Sequence, residues 1–585
     1  MGHLYRLNQP PTSTAGLYFP GQSAQPERLF LLEAKSTQHW LAGLSNTRIG
    51  STARELYKAL QDFNRSQIPS LVRRPVLSTL LEPVHNSYRQ LMGYLINNRL
   101  PMDDNQLKIA KISKALLLEL VLSFKIQLRD VLNEPEPARS PGLDIASIIQ
   151  HTLLLHLEVL RHSALTYQSY PNHFWQETHL LFRLALREDL QTRHCPEPGI
   201  LSQGLSLDSI QSASIQDSYA QILLMSLSDH YRMRQQDIIL LMNFLPEISP
   251  QLEFSQEHDN QENDRFVILL TKNLPALQRS QIKPELLNAK DLLFMRTNAL
   301  AQQLVEITSQ LKFNNLTGEK EYRGLSKRNL QHLHQVWTQL PARHAPRTPL
   351  HFELEIISGL RAIYQHQSSI RKAIEAANLS LQPDVSSLLL DPDSGMQLDL
   401  DSSFWEEGSS SAIIQINDLD YQHAEGGGED PALGQRFQIV NESDGGYCIS
   451  WSKDKVPAVK IGELLGIRQN SEQLGLHLAV IRWMKQHNDG GMLGIALLSR
   501  NCRPIQARLL EQEHSLLHQC LALEEKTSLA LPRLVTPPLA FRVGQLVNLL
   551  DEQVHSQVRL LELLETSAAF NVFSYQRIDP FENSA

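Results

Sequence analysis

The sequence is poor in cysteine: four residues among 585, at Cys195, Cys448, Cys502 and Cys520. No two stand in a CxxC pair, which argues against a zinc knuckle or a redox dithiol. Such sparse use suits a reducing compartment. Long apolar runs are also lacking. ALLLELVLSF at 115–124 carries a charge and falls short of the ~20 residues a membrane helix needs. The opening MGHLYRLNQPPTSTAGLYFPG has no apolar core of a signal peptide. A soluble cytoplasmic protein without a membrane span is expected. Basic charge is not in excess: the formal net charge of −9 gives no global electrostatic case for DNA or RNA.

Catalytic signatures are missing as well. GGG at 426–428 lacks the lysine and Ser/Thr of a phosphate loop, and no HExxH, Ser–His–Asp or Cys–His pattern occurs. His514 and His518 stand four apart and could share a helix face, but no further ligand completes a metal site. His151, His156 and His162 do not form a compact ligand face. Arg73-Arg74 before Pro75 suits capping of a helix better than an anion site. Trp483 in VIRWMK fits a barrel packing position better than a base-stacking platform. The protein is expected not to be an enzyme.

What is present divides the chain. Apolar content of 42% and charge of 20% suit a globular protein, and the length suggests roughly three or four domains. Residues 1–50 form an irregular segment. STARELYKALQDFNR from 51 opens with a capping-box pattern, Thr52 with Glu55. Helical periodicity then fills 68–97, 105–132, 143–168, 173–188, 211–230 and 234–245, and returns at 288–312 and 325–340. Only FVILL at 266–270 looks like a strand there. The expectation for 51–340 is an all-α bundle or an irregular, repeat-like scaffold.

The pattern changes at Pro341. HFELEIISGLRAIYQ, 351–365, alternates and reads as one strand or two joined near Gly359, with a short helix after it. No lysine or arginine occurs between Lys372 and Arg436, and the acidic stretch at about 380–432 is predicted to be a disordered insertion. Short alternating runs follow, with a strong hairpin turn at Asn488-Asp489-Gly490-Gly491 and a helical pattern at 459–466. The β character continues through 516–585. The whole is an α+β multidomain chain: helices first, a barrel over 341–515, then further strands or a second small barrel.

Two short patterns in the barrel region carry chemistry. ARHAPRTPLHF at 342–352 sets Arg343 and Arg347 in RxxxR spacing before the first strand. NESDGG at 441–446 sets Asn441, Ser443, Gly445 and Gly446 at a strand turn. Together these resemble the two motifs of the PilZ family, RxxxR and D/N-x-S-x-x-G. Ala342 stands where many members have another basic residue, Asn441 replaces the commoner aspartate, and a long insertion separates the motifs. The resemblance covers roughly 340–510. It implies a six-stranded β-barrel and, as ligand, cyclic di-GMP, a bacterial second messenger, with no other cofactor. Guanidinium groups suit that ligand because they fork onto guanine O6 and N7 and pair with phosphates. The turn offers an amide, a hydroxyl and a glycine that admits close backbone approach. The resemblance thus implies a receptor acting on motility, pilus function or biofilm, its helical module meeting a protein partner. The alternative is a helical adaptor whose barrel has lost the nucleotide.

Overall fold

The structure, a computed structural model, describes residues 16–44, 49–96, 102–133, 145–194, 214–257, 265–282, 291–314, 319–338, 348–350, 352–380, 435–443, 445–452, 459–468, 475–487, 490–510, 516–523, 531–551 and 554–578. The acidic insertion and the GGG run lie outside them.

Apolar residues at helical spacing build the first half. The helices are α1 (Ala34–Ala42), α2 (Ile49–Asn64), α3 (Ser70–Gly93), α4 (Asp104–Asn133), α5 (Ile145–Leu165), α6 (Phe174–Arg187), α7 (Ile215–Leu227) and α8 (Gln235–Ile248). α2 starts two residues ahead of the predicted Ser51-Thr52 opening. A capping box does form at α7. There the Ser214 hydroxyl accepts from the Asp217 amide at 3.0 Å, and the Asp217 carboxylate accepts from the Ser214 amide at 2.9 Å. Arg73 serves as a cap. Its buried guanidinium donates to the carbonyls of Phe63, in the last turn of α2, at 3.1 Å and of Ser66, just beyond it, at 2.9 Å.

The stretch after α8 is less helical than its periodicity predicts. FVILL is joined by three more strands in a sheet of order β1-β4-β2-β3, with β1 at Glu253–Ser255, β2 at Phe266–Leu269, β3 at Leu277–Gln278 and β4 at Leu292–Arg296. The helix expected over 288–312 is therefore β4 followed by α9 (Asn298–Ser309). A small sheet, β5 (Lys312–Asn314), β6 (Glu319–Tyr322) and β7 (Leu325–Ser326), leads into α10 (Lys327–Thr338).

The first barrel contains β8 (Thr348–Pro349), β9 (Glu353–Ser358), β10 (Gln435–Ser443), β11 (Gly446–Ser452), β12 (Leu464–Arg468), β13 (His477–His487) and β14 (Gly490–Ser499). The order is β11-β14-β13-β12-β9-β10, closed by β10 on β11, with β8 continuing the line of β9 along β10. Two expectations fail here. No second strand follows Gly359, because the backbone turns there at φ +90° into α11 (Leu360–Ser380). Nor is 459–466 helical: Leu464–Arg468 is a strand paired with both β9 and β13. Short apolar windows satisfy either period, and the pairing partner decides. The predicted hairpin does close β13 onto β14, with His487 opposite Gly490.

The second barrel is closed in the order β15-β16-β17-β20-β19-β18. Its strands are β15 (Cys502–Leu509), β16 (His518–Leu523), β17 (Arg533–Thr536), β18 (Leu546–Asp551), β19 (Val554–Thr566) and β20 (Asn571–Ile578). His518 therefore sits on a strand, opposite Ala507, not on a helix face. His514 lies outside the described residues. One continuous core joins the helices to the interior of the first barrel, from Leu157 and Phe244 to Ile449 and Ile481. The second barrel has its own core around Cys520, Phe541 and Val558. α11 bridges the two barrels through Ile363, packed with Val480, Val535 and Phe570.

The helical core holds histidines, buried or in the case of His151 half-buried, that desolvation keeps neutral. His151, His156, His179 and His230 are pushed down to about 4, and His162 to about 3. The unfolded chain takes up protons at these positions below about pH 6.5, whereas the native chain does not. Stability is then full above that pH and falls as pH drops towards 4, by up to about 1.4 kcal/mol per pH unit for each histidine. Chemical denaturation followed by helical circular dichroism between pH 7 and 4 should show this slope. His151→Leu, whose imidazole meets Phe124 edge-on, should lessen it by one group.

Candidate functional site

The turn of the second motif joins β10 to β11. Asn441 opposes Cys448, Glu442 opposes Tyr447, and Ser443 opposes Gly446, with a bulge between Ile439 and Asn441. Tyr447 and Ile449 face the barrel core. Asn441 and Ser443 therefore face outward, with Cys448 and Gly446, because alternate residues share a face. The Ser443 hydroxyl donates to the Gly446 carbonyl at 3.3 Å, and the Gly445 carbonyl accepts from the Leu497 amide at 2.9 Å. Gly446 is required by the neighbouring strand: a Cβ there would lie 1.9 Å from the Ile495 carbonyl oxygen. Gly445 is exposed, and a Cβ on it would meet nothing within 4 Å.

Arg343 and Arg347 lie outside the described residues. The chain that follows them does not. Thr348 pairs with Glu442 and Pro349 with Asn441, and the Leu350 amide donates to the Val440 carbonyl at 3.3 Å. The end of the RxxxR stretch is thus one peptide bond from a residue that pairs with the strand carrying the second motif.

Register extends the site across the barrel surface. Asn441 opposes Cys448, Cys448 opposes Gly494, and Gly494 opposes Trp483. The adjoining row runs from Ser443 through Gly446 and Ala496 to Val480. Cysteine, alanine and two glycines floor a trough between Asn441 and Trp483, three strand spacings or roughly 14 Å apart. The half-buried indole of Trp483 leans over Gly494, where a Cβ would fall 1.9 Å from its Nε1. A bulge between Ile481 and Trp483 turns this side chain outward while Met484 returns to the core. Strict alternation would have put Trp483 in phase with Ile481, so the sequence pattern concealed it.

The strand bearing Trp483 also touches its surroundings on both sides. Arg482 forks onto the Glu565 carboxylate of β19 at 2.6 and 3.0 Å. The Lys485 ammonium lies 5.7 Å from the centre of the Tyr231 ring. The Gln486 amide donates to the Tyr167 carbonyl at 2.8 Å, which ties β13 to the end of α5. Among the described residues no group of His, Cys, Asp or Glu is placed to hold a metal ion, and no helix is long and apolar enough to cross a membrane.

A closed six-stranded barrel with an N-x-S-x-x-G turn at a strand pair, preceded by RxxxR, is the pattern of a PilZ domain, and the middle part of the chain is such a domain. Three family models match in succession: the N-terminal domain of the cyclic-di-GMP receptor FimW over residues 35–259, its middle PilZ domain over 265–504, and its C-terminal β-barrel domain over 505–578. A relative is the cyclic-di-GMP receptor FimW of Pseudomonas aeruginosa, 25% identical over 93% of this chain and 91% of that protein. No solved structure matches the chain.

Proposed function

We propose that the first barrel is a receptor for cyclic di-GMP that binds the ligand without turnover and passes its occupancy to the helical module. The observation that carries this is the pairing of Thr348 with Glu442, which supports the convergence of Arg343 and Arg347 with Asn441, Ser443, Gly445 and Gly446 at one wall of the trough. The arginines would fork onto guanine edges and phosphates. Asn441 and Ser443 would supply neutral polar contacts from the floor, and Trp483 an apolar face for a base at the far wall. The relative's description as a cyclic-di-GMP receptor supports the same ligand.

The output would run through β13. Its Trp483 borders the trough, while Arg482 is held by Glu565 and Gln486 by Tyr167. A ligand shifts an equilibrium only through differential affinity for the two arrangements. Ordering the arginine-bearing segment against β10 in one arrangement supplies that difference. The helical module would then present its altered face to a protein partner in the bacterial cytoplasm, in control of motility, pili or biofilm.

The purified full-length chain should bind labelled cyclic di-GMP, with unlabelled ligand competing and GTP not competing. Failure of the wild-type chain to bind would support the adaptor with a degenerate barrel instead. Trp483→Ala should weaken binding by about 1–3 kcal/mol, roughly 5- to 150-fold, as loss of a base-stacking aromatic does. Gly494→Ala should weaken it as well, since the new methyl displaces the indole. Wild-type affinity in both variants, measured by titration calorimetry, would remove Trp483 from the site.

A further inference from the structure

The strand that bears Trp483 is held from outside its own barrel. Ile481 pairs with Ile495 and Trp483 with Gly494, so Arg482 is the extra residue of the β13 bulge, with no opposite number on β14. On the other side of β13, the pairing with β12 ends at Val480. A bulged residue is left out of the ladder, and the strand bends there. The Arg482 side chain supplies what the ladder does not. Its guanidinium forks onto Glu565 of β19 at 2.6 and 3.0 Å, and that carboxylate is only 13% exposed. A two-bond fork between opposite charges fixes direction as well as distance.

Glu565 stands beside a bulge of its own. Leu563 opposes Phe573 and Glu565 opposes Val572, which leaves Leu564 as the extra residue in β19. A second contact falls at the same place. A Cβ built on Gly462 would lie 3.4 Å from the Ser567 Cβ, just past the end of β19, and the Gly462 amide donates to the Ile481 carbonyl at 2.9 Å. Two routes from the second barrel thus converge on Ile481 and Arg482, immediately before the indole. Arg328 of α10 approaches the same carboxylate at 4.0 Å and donates to the Thr566 carbonyl at 3.3 Å.

We propose that Glu565 is a positioning residue for the trough: by holding Arg482 it sets where the β13 bulge aims Trp483, and the second barrel thereby tightens ligand binding by the first. This role rests on the first barrel being the receptor of cyclic di-GMP. Glu565 acts through Arg482, not by touching the ligand. With the fork in place the indole is already oriented over the trough. Without it, the ligand must order the bulge as it binds, and that ordering costs affinity.

The test titrates the full-length chain and its variants with cyclic di-GMP by calorimetry. Glu565→Gln, which keeps the shape and removes the charge, is expected to raise Kd about fivefold. Arg482→Met should do the same, and the two together should cost no more than either alone, because each breaks the same fork. Once Trp483 is replaced by alanine, Glu565→Gln should have no further effect. Unchanged far-UV circular dichroism separates loss of positioning from loss of folding. Should Glu565→Gln not fold, Arg482→Met with and without Trp483→Ala reads the same fork from its other side. A loss that simply adds to that of Trp483→Ala would overturn the proposal. Absence of binding in the wild type would sink the receptor reading itself, whereas a binding wild type with unchanged affinity in both Glu565→Gln and Arg482→Met would sink this role alone.

Discussion

Replacing Arg343 and Arg347 together by alanine is expected to raise the Kd for cyclic di-GMP at least 100-fold without changing the circular dichroism or melting temperature. Hydrogen bonds to charged groups contribute about 1.5–3 kcal/mol each, so loss of even one such bond from each arginine removes roughly 3–6 kcal/mol, on the order of 10² to 10⁴ in affinity. The fold should survive because the described barrel closes by β10 on β11 and includes the chain only from Thr348 onward, after both arginines in the sequence. Lysine at either position should recover only part of the loss, since a single ammonium keeps the charge but cannot fork onto a guanine edge. Titration of the double alanine variant and the two single lysine variants beside the wild type measures all of this. Retention of wild-type affinity in the double alanine variant would move the site away from the helix–barrel junction.

Gly446→Ala should destabilise the first barrel by on the order of 3 kcal/mol, in the range of severe overpacking. The added Cβ would meet the Ile495 oxygen at 1.9 Å, the Ile495 carbon at 2.9 Å and the Ala496 Cα at 3.0 Å. The close contacts are backbone atoms, so no rotamer change relieves them. β11 and β14 must part at Gly446↔Ala496, the first pair of their ladder. Gly445→Ala is the control: with nothing within 4 Å, it should change stability by less than about 0.5 kcal/mol. Urea unfolding of the two variants separates the outcomes. Equal stability would mean that the two strands do not approach as closely as this register requires.

Much of the architecture was legible because it rests on long periodic segments. α3, α4 and α5 each carry a buried face over many turns, and such stretches admit one period only. The errors fell on short windows. Residues 360–365 alternate well enough for a strand, yet Leu360, Ile363 and Tyr364 pack against the barrels from one side of α11. Residues 464–468 suit a helix turn equally well, and only pairing with β9 and β13 makes them a strand.

The sequence by itself determined the order of modules and the two short motifs, RxxxR at 343–347 and N-x-S-x-x-G at 441–446, because spacing within a few residues is fixed by the covalent chain. Only the tertiary structure decided which way Asn441 and Trp483 face. By strict alternation Asn441 would follow Phe437 and Ile439 into the barrel, and Trp483 would follow Ile481. One bulge in β10 and one in β13 reverse both, turning asparagine and tryptophan onto the same outer trough. A single extra residue in a ladder flips every side chain beyond it. Where that residue is inserted depends on the partner strands, which no local pattern of residues encodes.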